Sequence, residues 1–95
     1  MVAKKKFVVI AYDIANDKTR NRVSKLIERY GIRINLSVFE CMLTDRQLEK
    51  VRVFVNENIN LKTDTVVFYV ICVNCFTKMI KIPNKSIGIN TIHIV

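Results

Sequence analysis

The sequence predicts an α+β sandwich in which two helices pack on one sheet of four or five strands. Three observations carry this. Strand-like apolar runs at 6–14, 32–43 and 63–73 alternate with two stretches whose apolar residues fall at helical spacing. Each helical stretch opens on a capping residue, Asn16 or Thr44. The chain has 95 residues, 51% of them hydrophobic, which suits one domain, spanning 1–95, with a real core.

In the first strand, 6–14, Phe7, Val9, Ala11 and Asp13 share one face, and Val8, Ile10, Tyr12 and Ile14 the other. Both faces are apolar until the end, as expected of a central strand. Asn16-Asp17 offers an N-cap, Val23, Leu26, Ile27 and Tyr30 recur at helical spacing, and Gly31 is a natural stop. The first helix is therefore expected at about 18–30. The next strand, 32–43, is long enough to bend or to carry a bulge. Ile32, Ile34, Leu36 and Val38 fall on one face and Arg33, Asn35, Ser37 and Phe39 on the other.

Thr44-Asp45-Arg46-Gln47 has the form of a capping box. Leu48, Val51, Phe54 and Val55 then make the apolar stripe of a second helix, 45–58. A Val-rich strand follows at 63–73, beside Asp64. In the segment 76–95, residues 79–82 read as a short strand, Pro83-Asn84-Lys85 as a turn and 87–95 as a final strand. The plain order is β-α-β-α-β-β, one strand short of a split βαβ pattern; either a bend in 32–43 or the 64–73 strand with its neighbour makes up the number.

Sixteen Lys and Arg face eight Asp and Glu, a net charge of +8. Such a field favours an anionic partner, nucleic acid first and an anionic membrane surface second. The longest apolar run, 65–73, is strand-sized and too short to cross a bilayer. Lys4-Lys5-Lys6 followed by an apolar run resembles a signal peptide only superficially, because Asp13 interrupts it and no small-residue cleavage site follows. A cytoplasmic protein is expected. Three cysteines, Cys41, Cys72 and Cys75, are an odd number and argue against a disulfide framework.

The most informative stretch is Asp13 at the mouth of the first strand, followed by Lys18, Arg20, Arg22 and Lys25. An acid there can hold a divalent metal, and arginines on the next helix can hold phosphate. Together they point to metal-assisted work on a nucleic acid. The plainer alternative makes Asp13 a strand-end residue capping the turn and the arginines a solvated helix face. Cys72-Val73-Asn74-Cys75 is a weak zinc signal, since a structural site needs four ligands. His93 is the single histidine and lies in the final strand, so no general base is evident.

Tyr12-Asp13-Ile14, Asp17, Arg20-Asn21-Arg22-Val23, Gly31 and Ser37-Val38-Phe39-Glu40, in this order and spacing, resemble the CRISPR-associated Cas2 family. These are small homodimeric proteins of prokaryotic adaptive immunity, and the resemblance covers about 6–73. It implies a ferredoxin-like β-α-β-β-α-β core, with one long apolar run divided. It also implies an extra C-terminal strand, within 76–95, that extends onto the partner's sheet in a homodimer. The activity implied is a Mg²⁺- or Mn²⁺-dependent endonuclease acting on RNA or duplex DNA in spacer acquisition. Other members are non-catalytic bridges that hold protospacer DNA between copies of the Cas1 integrase. A toxin-like ribonuclease sharing the fold is a third reading.

Residue by residue, the resemblance assigns Asp13 as the metal-binding and catalytic acid. It places Tyr12, Arg20, Arg22, Arg33, Ser37 and Phe39 in nucleic-acid binding. Read on chemistry alone, Tyr12 and Phe39 fit packing better than base stacking, since aromatics on strands usually serve the core. One carboxylate cannot complete a magnesium site, but a two-fold dimer brings a second Asp13 to face the first.

Overall fold

The computed structural model describes residues 4–71. The elements are β1 (Lys6–Asp13), α1 (Asp17–Ile27), β2 (Gly31–Asn35), β3 (Val38–Leu43), α2 (Asp45–Asn58) and β4 (Thr65–Ile71). All strand pairs are antiparallel, in the order β2-β3-β1-β4. This is the ferredoxin-like β-α-β-β-α-β arrangement, with β1 central as its two apolar faces require. Among the described residues no helix is long and apolar enough to cross a membrane.

The long run 32–43 is not one strand, and the plain order β-α-β-α-β-β gives way. The chain reverses at Leu36 and Ser37, where the Asn35 side chain accepts the Ser37 amide at 3.0 Å. Asn and Asp favour such local turns over a continued ladder. A register shift between Arg33 and Asn35 completes the break. Leu36 therefore lies 83% exposed at the hairpin tip instead of joining an apolar face.

The first helix stops at Ile27, three residues short of the expected end. The Arg29 amide bonds Leu26 and the Tyr30 amide bonds Ile27, so the last turns tighten. Tyr30 still packs on the core from outside the helix. Gly31 begins β2 and is not a helix cap. A Cβ there would overlap the Glu40 carbonyl oxygen and lie 2.8 Å from the Cys41 Cα. The residue is set by the close approach of β2 to β3.

Both N-caps form as the sequence predicts. Asn16 accepts the Thr19 amide at 3.0 Å, and Thr44 and Gln47 make the reciprocal bonds of a capping box. The core lies between the helices and one sheet face. Val8, Ile10 and Tyr12 meet Phe39, Cys41 and Leu43 there, covered by Val23 and Ile27 of α1 and Val51 and Val55 of α2. Fully burying a large apolar side chain stabilises by roughly 1.5–3 kcal/mol. The opposite sheet face carries Val9, Ala11 and Val38, with Ile32, Val67 and Tyr69 more exposed.

β4 is described to Ile71, within the expected 63–73. The strands expected in 76–95, the Cys72–Cys75 pair and His93 lie outside the described residues.

Candidate active site

Three junctions converge where β1 ends. Asp13 is its last residue and pairs with Thr65 at the start of β4. The α1 N-terminus follows after Ile14, Ala15 and Asn16. The β2–β3 hairpin tip reaches the same place, where the Tyr12 amide donates to the Ser37 carbonyl at 2.9 Å and the Tyr12 hydroxyl to the Leu36 carbonyl at 3.1 Å. An open cleft of about 650 Å³ lies between them, lined by Tyr12, Asp13, Ile14, Arg20, Asn21, Ser24, Arg33, Leu36 and Ser37.

Five of the seven expected site residues thus line one cleft: Tyr12, Asp13, Arg20, Arg33 and Ser37. Arg22 and Phe39 do not. Arg22 turns away and donates to the Asn58 side chain at 3.0 Å. Residues two apart on a helix point in different directions, so Arg20 and Arg22 cannot grip one phosphate together. Phe39 is fully buried beneath the cleft. It stacks on the Tyr12 ring with centroids 6.2 Å apart and carries the Arg33 guanidinium above it. Neither aromatic presents an open ring to a base, because Tyr12 is also buried.

The charges in the cleft have distinct roles. The Asp13 carboxylate is exposed and has no hydrogen-bond or ion-pair partner among the described residues. Arg20 donates to the Ile14 carbonyl at 2.8 Å and pairs with Asp17, so it braces the loop after Asp13. Arg33 has its cationic carbon 5.2 Å from the Phe39 centroid and meets Glu28 at 3.5 Å. That ion pair is loose and half exposed, which leaves the guanidinium edge available to an anion. Sequence reasoning missed Asp64, whose carboxylate accepts the Ala15 amide in the same loop. Amide donors from Asn60 and Ala15 hold its carboxyl below the ordinary carboxylate range.

Among the described residues no three His, Cys, Asp or Glu side chains gather around one point. Of the described residues, Asp13 is the one carboxylate lining the cleft. This donor set fits half of a magnesium site, since Mg²⁺ keeps several waters and needs only one or two carboxylates.

The family model described as CRISPR associated protein Cas2 matches residues 6–79. The chain belongs to the Cas2 family. Over 65 residues it is 38% identical to the CRISPR-associated endonuclease Cas2 2 of Thermus thermophilus, covering 68% of this chain and 72% of the relative. Over 67 residues it is 37% identical to the CRISPR-associated endoribonuclease Cas2 4 of Rhodospirillum rubrum. That match covers 70% of this chain but 54% of the relative, so this chain spans little more than half of that Cas2 protein's length. The crystal structure of Streptococcus pyogenes Cas2 superposes with a TM-score of 0.70 at 29% identity, covering 79% of this chain and 96% of that one. A chain of a partial Cas6-RT-Cas1–Cas2 complex superposes at 0.61 with 30% identity, covering 87% of this chain and 91% of its own. Curated Cas2 relatives thus carry both endonuclease and endoribonuclease names.

Proposed function

We propose that this Cas2 chain acts as a homodimeric, metal-dependent nuclease of CRISPR spacer acquisition in the cytoplasm, with Asp13 of each copy sharing a divalent cation. The observation that carries this reading is an exposed carboxylate that has no partner among the described residues, at the rim of a cleft that also holds Arg33 and Arg20. Asp13 would hold Mg²⁺ or Mn²⁺. Such an ion, when bound, polarises a phosphoryl oxygen and lowers the pKa of a bound water.

The remaining roles belong to the chain itself. Arg33 offers a planar fork for a phosphate, pre-oriented by the Phe39 ring. The Ser37 hydroxyl can donate to a phosphate or sugar oxygen from the hairpin tip. Arg20 keeps the Asp13 loop in place through the Ile14 carbonyl. RNA and duplex DNA both present the phosphodiester that this set recognises. The decisive experiment titrates Mg²⁺ and Mn²⁺ into cleavage assays on RNA and duplex DNA, with Asp13→Ala alongside. Cleavage should require metal and vanish in the variant while fold and dimer persist. Undiminished cleavage by a clean Asp13→Ala preparation removes the assignment.

One observation favours a second reading, a non-catalytic dimer that binds DNA and docks the Cas1 integrase. Among the described residues Asp13 is the single carboxylate of the cleft and the Tyr12 hydroxyl is spent on the Leu36 carbonyl, so none of them stands ready as a general base. The likeness to a chain from a complex containing Cas1 and Cas2 supports such a partnership. This reading expects tight, salt-dependent DNA binding that is indifferent to Asp13→Ala, with no turnover in any metal.

A further inference from the structure

The loop that leaves Asp13 is held by a residue from a distant part of the chain. Asp64 Oδ1 accepts the Ala15 amide at 3.2 Å, and its Oδ2 accepts the Asn60 amide at 2.9 Å. The Thr63 hydroxyl donates to Oδ1 at 3.2 Å, and the Asp64 amide returns a bond to the Asn60 carbonyl at 2.8 Å. One short carboxylate therefore joins the β1–α1 loop to the α2–β4 loop. The next residue, Thr65, pairs with Asp13 across the sheet.

We infer that Asp64 is a positioning residue for Asp13: its carboxylate staples the two loops and fixes the direction in which the Asp13 side chain leaves the sheet. The inference rests on the reading of Asp13 as the cation-holding acid. Among the described residues nothing bonds the Asp13 carboxylate itself, so its place depends on its backbone. Upstream, that backbone is set by pairing with β4. Downstream, it is set by two bonds to groups outside the loop: Arg20 donates to the Ile14 carbonyl, and the Ala15 amide donates to the Asp64 carboxylate. Misplacing a reacting group by about 1 Å can cost on the order of 10²-fold in rate. Two diverging amides need two acceptor oxygens, which Asp supplies. Asn supplies one and Ala none.

Asp64→Ala and Asp64→Asn in the full chain test this, beside Asp13→Ala. Three measurements are made: hydrogen exchange at the Ala15 and Ile10 amides, Mn²⁺ affinity from paramagnetic broadening, and kcat with KM. In Asp64→Ala, Ala15 should exchange faster while Ile10 in the core does not. Mn²⁺ affinity should fall by roughly tenfold, the lower end of the loss seen when outer support of a metal ligand is removed, because Asp64 acts on Asp13 through the loop. kcat should fall with KM held, and Asp64→Asn should lie between. Unchanged Ala15 exchange overturns the inference. So does faster exchange at Ala15 with wild-type Mn²⁺ affinity and kcat, or exchange that rises equally at Ile10. Wild-type behaviour of Asp64→Ala beside a dead Asp13→Ala sinks the staple alone. An Asp13→Ala variant that keeps both Mn²⁺ affinity and cleavage sinks the Asp13 reading, and the staple with it.

Discussion

The Arg33 guanidinium lies over the ring of Phe39, 5.2 Å from its centroid, and the two residues stand opposite each other in the β2–β3 ladder. A buried ring thus aims a cation into the cleft without touching the solvent itself. Stability and binding should therefore separate at this pair. Arg33→Lys keeps the charge but loses the planar fork and the stacking, so nucleic-acid affinity should fall with little change in unfolding. Phe39→Ala opens a cavity in the core and should destabilise by about 3–5 kcal/mol. Urea unfolding and a binding titration on both variants check this. Equal binding loss without stability loss at Phe39 would mean the ring meets the ligand directly.

Gly31→Ala should destabilise the fold although it adds one methyl group. The new Cβ would collide with the Glu40 carbonyl and crowd Cys41, both on the facing strand. Backbone cannot give way as a flexible side chain does, so β2 must shift off β3. Overpacking of this kind costs about 1–3 kcal/mol. A chemical-denaturation midpoint equal to that of the parent chain would show that the strands have room to spare.

Arg20 and Arg22 should behave differently despite sitting two residues apart. Arg22 makes one exposed bond to Asn58, so Arg22→Ala should move stability by no more than about 0.5 kcal/mol. Any contact it makes with a phosphate would appear as a drop of about one in the salt slope of DNA binding. Arg20→Ala removes the bond to Ile14 and the pair with Asp17, so it should loosen the Asp13 loop and lower cleavage more than binding. Cleavage rates and salt-dependent binding isotherms on the two variants make the comparison. Identical profiles would mean that both side chains act as plain charges.

Periodicity and capping chemistry made most of the fold legible. The faces of β1, both N-caps and the span of α2 follow directly from Val8, Ile10, Asn16, Thr44 and Gln47. The hairpin at 36–37 was hidden because alternation continues through it: Ile34, Leu36 and Val38 keep an apolar rhythm across a turn. Only Asn35, bonding Ser37, marks the reversal. At the site, Asp13 was legible as an acid ending an apolar run, whereas Arg33 came only from the family resemblance. The turning-away of Arg22 was legible in principle, since helical geometry separates i and i+2. Asp64 was not, because its bond to Ala15 spans 49 residues and depends on how two loops meet.

Cys41 makes the last prediction, and its sign can be worked out. Its thiol is buried in β3, and desolvation, then the charge of neighbouring Glu40, push its pKa up to about 12. The folded state therefore keeps the proton more tightly than the unfolded chain, whose thiol titrates near 9. A raised folded pKa leaves its contribution to stability intact below the unfolded value and removes it as pH climbs from there toward the folded one. Stability should thus hold to about pH 9 and fall between there and pH 12. Cys41→Ala should flatten that part of the curve, although it lowers stability at neutral pH by leaving a small void. The same burial predicts that Cys41 resists alkylation in the native state, because the thiolate is the nucleophile and little of it forms. Peptide mapping after iodoacetamide treatment at pH 8, with and without urea, reads this out. Labelling of Cys41 at equal rates in both conditions would mean that β3 opens far more readily than its packing allows.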